Sequence, residues 1–181
     1  MSFDLQPHLN DTWLQLRPLR AADFEALYAA ASDPLIWEQH PNPDRYQRDV
    51  FATYFKGAME SGGALLVSDA QNGEPIGSSR YYDLDAKAGS VAIGYTFITR
   101  PYWARGYNRR LKTLMLDHAF NDVEQVLFHV GARNMRSRKA MEKLGGTLIG
   151  ELEMSYYGEP SRQNVVYRIA KAEWLELRKA G

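Results

Sequence analysis

The residues best able to do chemistry are gathered in one stretch, Arg105-Gly106-Tyr107-Asn108-Arg109-Arg110. Three guanidinium groups around a glycine favour an anion, and the glycine lets backbone N–H groups approach it closely. From Tyr107 the apolar residues take a helical period, with Leu111, Leu114, Met115 and His118 or Ala119 on one face. The residues before the turn, Ser90 to Ile98, read as a strand. A helix entered from a strand through a glycine presents free N–H groups and its positive dipole end, where an anion such as a pyrophosphate binds. A second polar group, Asn134-Met135-Arg136-Ser137-Arg138-Lys139-Ala140, follows a strand candidate at Gln125 to Val130 and opens a short helix that ends at Gly145-Gly146. Ser137, Ala140, Met141 and Leu144 fall on adjacent positions of that helix, so a ligand that touches Ser137 also touches its neighbours. Asn134 is in any case a good helix cap.

The elements that must position these groups follow from periodicity. Leu14 to Leu19 alternates like a strand, and Phe24, Leu27, Tyr28 and Ala31 mark a helix stopped by Asp33-Pro34. Leu35 to Arg45 reads as a loop carrying Ile36, Trp37, Glu38 and His40, a mixture suited either to lining a pocket or to pinning a surface loop. Tyr46, Val50, Phe51, Tyr54, Phe55 and Ala58 repeat at helical spacing and form a core stripe. Ala64 to Ser68, Pro75 to Asp83 and Ser90 to Ile98 make an antiparallel meander joined by Gln71-Asn72-Gly73 and a turn at Asp85 to Gly89. Thr147 to Tyr157 and Gln163 to Ile169 are the last strands, and Lys171 to Lys179 is a terminal helix. The fold class is α+β: a mixed, mostly antiparallel twisted sheet of about seven strands flanked by helices.

Composition bounds the function. A chain of 181 residues, 45% of them hydrophobic, suits a single domain over 1–181. Its 22 basic and 22 acidic residues balance, so overall charge gives no case for nucleic acid or an anionic membrane. No apolar run approaches the ~20 residues of a membrane span. The first residues lack the basic and apolar regions of a signal peptide, and the expected location is cytoplasmic. With no cysteine anywhere, thiolate metal sites, disulfides and a cysteine nucleophile are excluded.

Arg105-Gly106-Tyr107-Asn108 resembles the acyl-CoA pyrophosphate loop of the GCN5-related N-acetyltransferases, and Asn134-x-x-Ser137-x-x-Ala140 resembles that superfamily's second signature. The run Pro101-Tyr102-Trp103-Ala104-Arg105-Gly106-Tyr107 is most similar to the RimJ/RimL-type, ribosomal-protein N-terminal acetyltransferase branch, and the likeness extends over about residues 14–174. Asn108 departs from the family's usual alanine or glycine, and Met141 from a tyrosine proposed as general acid in many members. The resemblance implies a V-shaped splay between the central strand and Gln125 to Val130, with acetyl-CoA lying in it and no metal. It implies that Phe97 and Ile98, with Thr99 more loosely, pair their backbone with the pantetheine arm; that Arg105, Gly106, Tyr107, Asn108, Arg109 and Arg110 surround the pyrophosphate; and that Asn134, Ser137 and Met141 line the cofactor. The implied activity is acetyl transfer to a primary amine, an N-terminal α-amine or a small-molecule amine, and a homodimer is compatible with it. The rival reading is an acyl-CoA sensor without turnover.

Without cysteine, direct attack by the amine in a ternary complex is the simplest route. Backbone near Phe97 would donate to the thioester oxygen. Many relatives carry a glutamate before the Ile-Gly pair of the central strand, where this chain has Ala92, so Glu38, His40, Asp83 and His129 are the candidate bases. His129 sits in an alternating strand, where histidine is more often packed than catalytic. An α-amine of pKa about 7.7–8.0 is roughly a tenth neutral at pH 7, a lysine amine far less. The missing glutamate thus favours a low-pKa amine. Met141 has no proton to give, so the thiolate would take one from Ser137, Tyr156 or Tyr157.

Overall fold

The computed structural model describes residues 2–155 and 159–181. Its strands are β1 (Leu9–Asn10), β2 (Leu14–Pro18), β3 (Ala64–Asp69), β4 (Pro75–Asp85), β5 (Ser90–Ile98), β6 (Gln125–Gly131), β7 (Thr147–Ser155) and β8 (Ser161–Ala170). They form one eight-stranded sheet in the order β1-β2-β3-β4-β5-β6-β8-β7. All neighbours are antiparallel except β5 and β6, which run parallel. The eighth strand is the two-residue β1, too short to carry a period. The expectations for Tyr156 and Tyr157 lie outside the described residues.

Among the described residues six α-helices cover the two faces: α1 (Phe24–Ala31), α2 (Pro34–Trp37), α3 (Arg48–Ser61), α4 (Tyr107–Ala119), α5 (Met135–Leu144) and α6 (Lys171–Ala180). The α3 stripe does what its spacing predicts. Phe51, Tyr54, Phe55 and Ala58 are buried and join Leu27, Ile36, Trp37 and Phe97 in one core cluster. On the other face Leu111, Met115, Leu116 and Ala119 of α4 meet Val91, Ile93, Val126 and Phe128, with Met141, Leu144, Tyr167 and Trp174 completing a second cluster. The sheet lies between these two cores. The segment read as a loop after Leu35 begins with the single turn α2, where Pro34 occupies a first-turn position and Asp33 accepts from the Leu35 N–H.

Two irregularities of β5 shape the space beside it. Its pairing with β6 covers only Ser90 to Ala92, against Gln125 to Leu127, and then stops. Beyond that point β6 stays bonded to β8 up to Gly131, while β5 stays with β4 up to Ile98. The two parallel strands therefore part company. The second irregularity is a bulge: Arg80 pairs with Gly94 but Ser78 with Phe97, and Tyr95 takes φ of 52°. The extra residue reverses the alternation, so Ile93 and Ile98 both reach the α4 core while Tyr95 and Phe97 lie against the α3 core.

Candidate active site

At one end of the slot between β5 and β6 stands the start of α4. Gly106 is its N-cap at φ of 84°, and no side chain caps the helix. Cβ space is open there, with Trp13 3.9 Å away, so it is the left-handed backbone that requires glycine. The first intrahelical bond runs from the Arg110 N–H to the Gly106 carbonyl, which leaves the N–H groups of Tyr107, Asn108 and Arg109 facing outward. Tyr107 anchors this turn, its buried ring set against Trp13 and Tyr102 at centroid distances of 5.0 and 4.8 Å.

The arginines divide their work. Arg105 is exposed beside the turn, donating to the Pro101 carbonyl. Arg109 is exposed and reaches the Lys143 carbonyl at the end of α5. Arg110 is turned away: it pairs with Asp11 at 3.1 Å and stacks 3.9 Å over Trp13. Asn108 is exposed. The residues present fit a pyrophosphate, since an uncapped helix start flanked by two exposed guanidinium groups is a built anion cradle.

Along the slot, Thr99 donates its N–H to Ile76 on β4, so alternation sends the backbone of Ile98 towards β6 and that of Phe97 towards β4. The Ile98 carbonyl is already held, at 2.7 Å, by the indole N–H of Trp103. Thr99 itself lines a shallow cleft with Ala26, Ala29 and Ala30 of α1. On the β6 side Asn134 is buried and accepts from the Ser137 N–H, so it is the cap of α5. Ser137 is half-buried one turn into that helix, and among the described residues its hydroxyl has no hydrogen-bond partner. Met141 is buried in the core cluster. Arg136 spans the mouth, stacked 4.0 Å over Trp103 and donating to the Ile36 carbonyl.

The face of the slot towards α3 gathers groups that lie far apart in the sequence. Arg80 of β4 is buried with its guanidinium 3.8 Å over the Tyr95 ring. The Tyr54 hydroxyl donates to the Tyr95 carbonyl at 2.6 Å. Tyr82 is hydrogen-bonded to His129 Nδ1 at 2.7 Å. Beside them Arg45 grips Glu159 with two bonds of 2.8 Å, both side chains almost fully buried. On the opposite face Lys112 of α4 is buried, its ammonium nitrogen 2.8 Å from Thr96 Oγ1, which is bonded in turn to Ser79. Burial drives the Lys112 pKa from 10.5 down to about 7.

Of the four candidate bases, Glu38 is exposed on the residue that closes α2, with Arg136 nearby, and Asp83 is exposed at the outer end of β4. His40 has its pKa pulled to about 3, by burial first and then by the charges of Arg45 and Arg136, which makes it too weak to take a proton from an ammonium. His129 lies two residues beyond the last β5–β6 pair, in the opened part of the slot, and burial lowers its pKa while Asp83 partly offsets this. That shift favours the neutral imidazole.

Comparison with known proteins gives the class. A family model described as the acetyltransferase (GNAT) domain matches residues 14–147, and the chain belongs to that family of acyltransferases, whose members bind acetyl-CoA and pass its acyl group to an amine. Among solved structures it is similar to a GCN5-related N-acetyltransferase from Brucella melitensis, 21% identical with a TM-score of 0.80 over 97% of this chain and 83% of that one. It is similar to a spermidine N-acetyltransferase from Vibrio cholerae solved with CoA and spermine, 18% identical with a TM-score of 0.67 over 91% and 99% of the two chains. It is equally similar to a ribosomal-protein-S5-alanine acetyltransferase from Vibrio fischeri, 15% identical with a TM-score of 0.67 over 93% and 98%. At these identities the likeness is one of fold. No curated protein sequence matches the chain.

Proposed function

We propose that this enzyme transfers an acetyl group from acetyl-CoA to a primary amine, either the α-amine of a peptide or protein or a small-molecule amine, by direct attack within a ternary complex in the cytoplasm. The observation that carries the reading is the coincidence of two features. The parallel strands β5 and β6 separate after Ala92 and Leu127, and the uncapped start of α4 stands at the mouth of the gap. The N–H groups of Tyr107 to Arg109, with Arg105 and Arg109, hold the pyrophosphate. Bound acetyl-CoA supplies the activated acyl group.

The chain's own residues do the rest. His129 accepts the proton of the attacking amine, directly or through one water, and the Tyr82 hydroxyl fixes its ring. Ser137 returns a proton to the sulfur, a task that Tyr156 could share. The run Pro101 to Tyr107 supports membership of the RimJ/RimL-type branch. The neighbours do not choose the acceptor, because a spermidine enzyme and a ribosomal-protein enzyme share one TM-score.

The test is thiol release from acetyl-CoA across a panel of peptides, amino acids and polyamines, with acetylated product identified by mass spectrometry. Amine-dependent release is expected. CoA binding without release for any amine would leave the sensor reading in its place.

A further inference from the structure

Resting on the acetyl-transfer reading, we propose that the acceptor is an amine that also carries a carboxylate, and that Arg80 receives that carboxylate. Arg80 is 5% exposed and sits in the middle of β4, where a strand would ordinarily present an apolar side chain. Among the described residues its buried Nε has no hydrogen-bond partner and its guanidinium forms no ion pair. What it touches instead is aromatic: the Tyr95 ring at 3.8 Å and the Tyr54 ring at 5.8 Å. Rings offset only part of the cost of taking a guanidinium out of water. Burial lowers its pKa and Arg45 lowers it further, while Tyr54, Tyr95 and Tyr82 offset part of this. The carboxylate of Glu159, buried on this face, is already engaged by Arg45 through both of its oxygens. Among the described residues of this face, the buried guanidinium groups of Arg45 and Arg80 thus stand against the one buried carboxylate of Glu159.

Position turns that surplus into a specificity. Arg80 pairs with Gly94, directly at the β5 bulge and on the side of the sheet that carries Tyr82 and His129. Neighbouring strands lie about 4.8 Å apart. A carboxylate bound in the fork of Arg80 would thus place an amine a few bonds away near the opened slot. Arginine suits this because its planar fork binds a carboxylate through two parallel hydrogen bonds. The same charge opposes a polycationic acceptor such as spermidine, which finds no unpaired buried acid among the described residues of this face. Free amino acids and peptides whose first residue is aspartate or glutamate share the required chemistry.

The experiment compares matched acceptors on the unmodified chain at saturating acetyl-CoA: free amino acids against their amides, peptides beginning with Asp or Glu against those beginning with Asn or Gln, and spermidine. The carboxylate-bearing member of at least one matched set should exceed its amide by about 100-fold in kcat/KM, and which set does so identifies the source. Arg80→Met should collapse the acid-to-amide ratio of kcat/KM to about one, while CoA affinity changes less than about threefold. Arg80→Lys, with charge but no fork, should fall between. Equal rates for acids and amides, a preference for spermidine, or an Arg80→Met loss shared equally by acid and amide would overturn the assignment while leaving acetyl transfer standing. No turnover with any amine would overturn both.

Discussion

Lys112 offers the sharpest physical test of the described interior. It lies on α4 in step with Met115, Leu116 and Ala119, is 7% exposed, and among the described residues its ammonium nitrogen has Thr96 Oγ1 as its one hydrogen-bond partner. Its pKa falls from 10.5 to about 7 because burial disfavours the charged form. Between those two values the unfolded chain holds a proton that the folded chain has released, so stability rises with pH through this window and the penalty is largest below pH 7. At 1.36 kcal/mol per unit, the contribution changes by about 2 kcal/mol between pH 7 and pH 9. For a chain of this size that is roughly 4–8 °C in Tm. Lys112→Met keeps the volume and removes the charge. The variant should be more stable than the parent at pH 7, with the difference narrowing by about 2 kcal/mol by pH 9; the lost bond to Thr96, worth about 1 kcal/mol, reduces the offset but not the narrowing. Urea unfolding of both proteins at pH 7, 8 and 9 measures it, and other titrating groups cancel in the difference. Parallel stability profiles for the two proteins would refute the reasoning.

Three further outcomes are expected. Gly106→Ala should cost about 1–2 kcal/mol of stability from its left-handed backbone, whereas Gly106→Asp should in addition abolish CoA binding in calorimetry by placing a carboxylate at the anion cradle. Ser137→Ala should lower kcat by about tenfold or more with little change in CoA affinity, read by steady-state kinetics and calorimetry. Glu159→Ala should destabilise the fold by about 3–5 kcal/mol because it strips a buried guanidinium of its bidentate partner, and replacing Arg45 by Met as well should recover much of that loss in thermal unfolding.

What the sequence made legible was whatever repeats. The α3 aromatics, the Leu111–Met115 face and the alternating strands each report burial through a period, and these elements start and stop within a few residues of the expected ones, whereas β1 and the single turn α2 are too short to show one. The α4 entrance was legible for a different reason: a glycine between a strand and an amphipathic helix admits few structures. The acceptor face was not, because it is assembled from β4, β5, β6 and α3, and no spacing in the chain brings Arg80, Tyr82, Tyr95 and His129 together. The bulge at Tyr95 hid it further, since one extra residue exchanges the faces of everything after it. There were local signals. Arg80 interrupts an otherwise buried strand, and Lys112 falls in register with Met115 and Ala119, a charged residue where the helical period calls for an apolar one. His129 needed the register itself, which places it just past the last β5–β6 pair and so in the opening rather than in the sheet.

The central claim is that acetyl-CoA lies between β5 and β6 with its pyrophosphate on the start of α4. A crystal structure of the chain with CoA measures this directly. Phosphate oxygens are expected within hydrogen-bond distance of the N–H groups of Tyr107 to Arg109, with the pantetheine arm running along the β6-facing edge of β5 past Ile98. Density for CoA elsewhere on the protein, or a pyrophosphate held only by side chains away from α4, would contradict it.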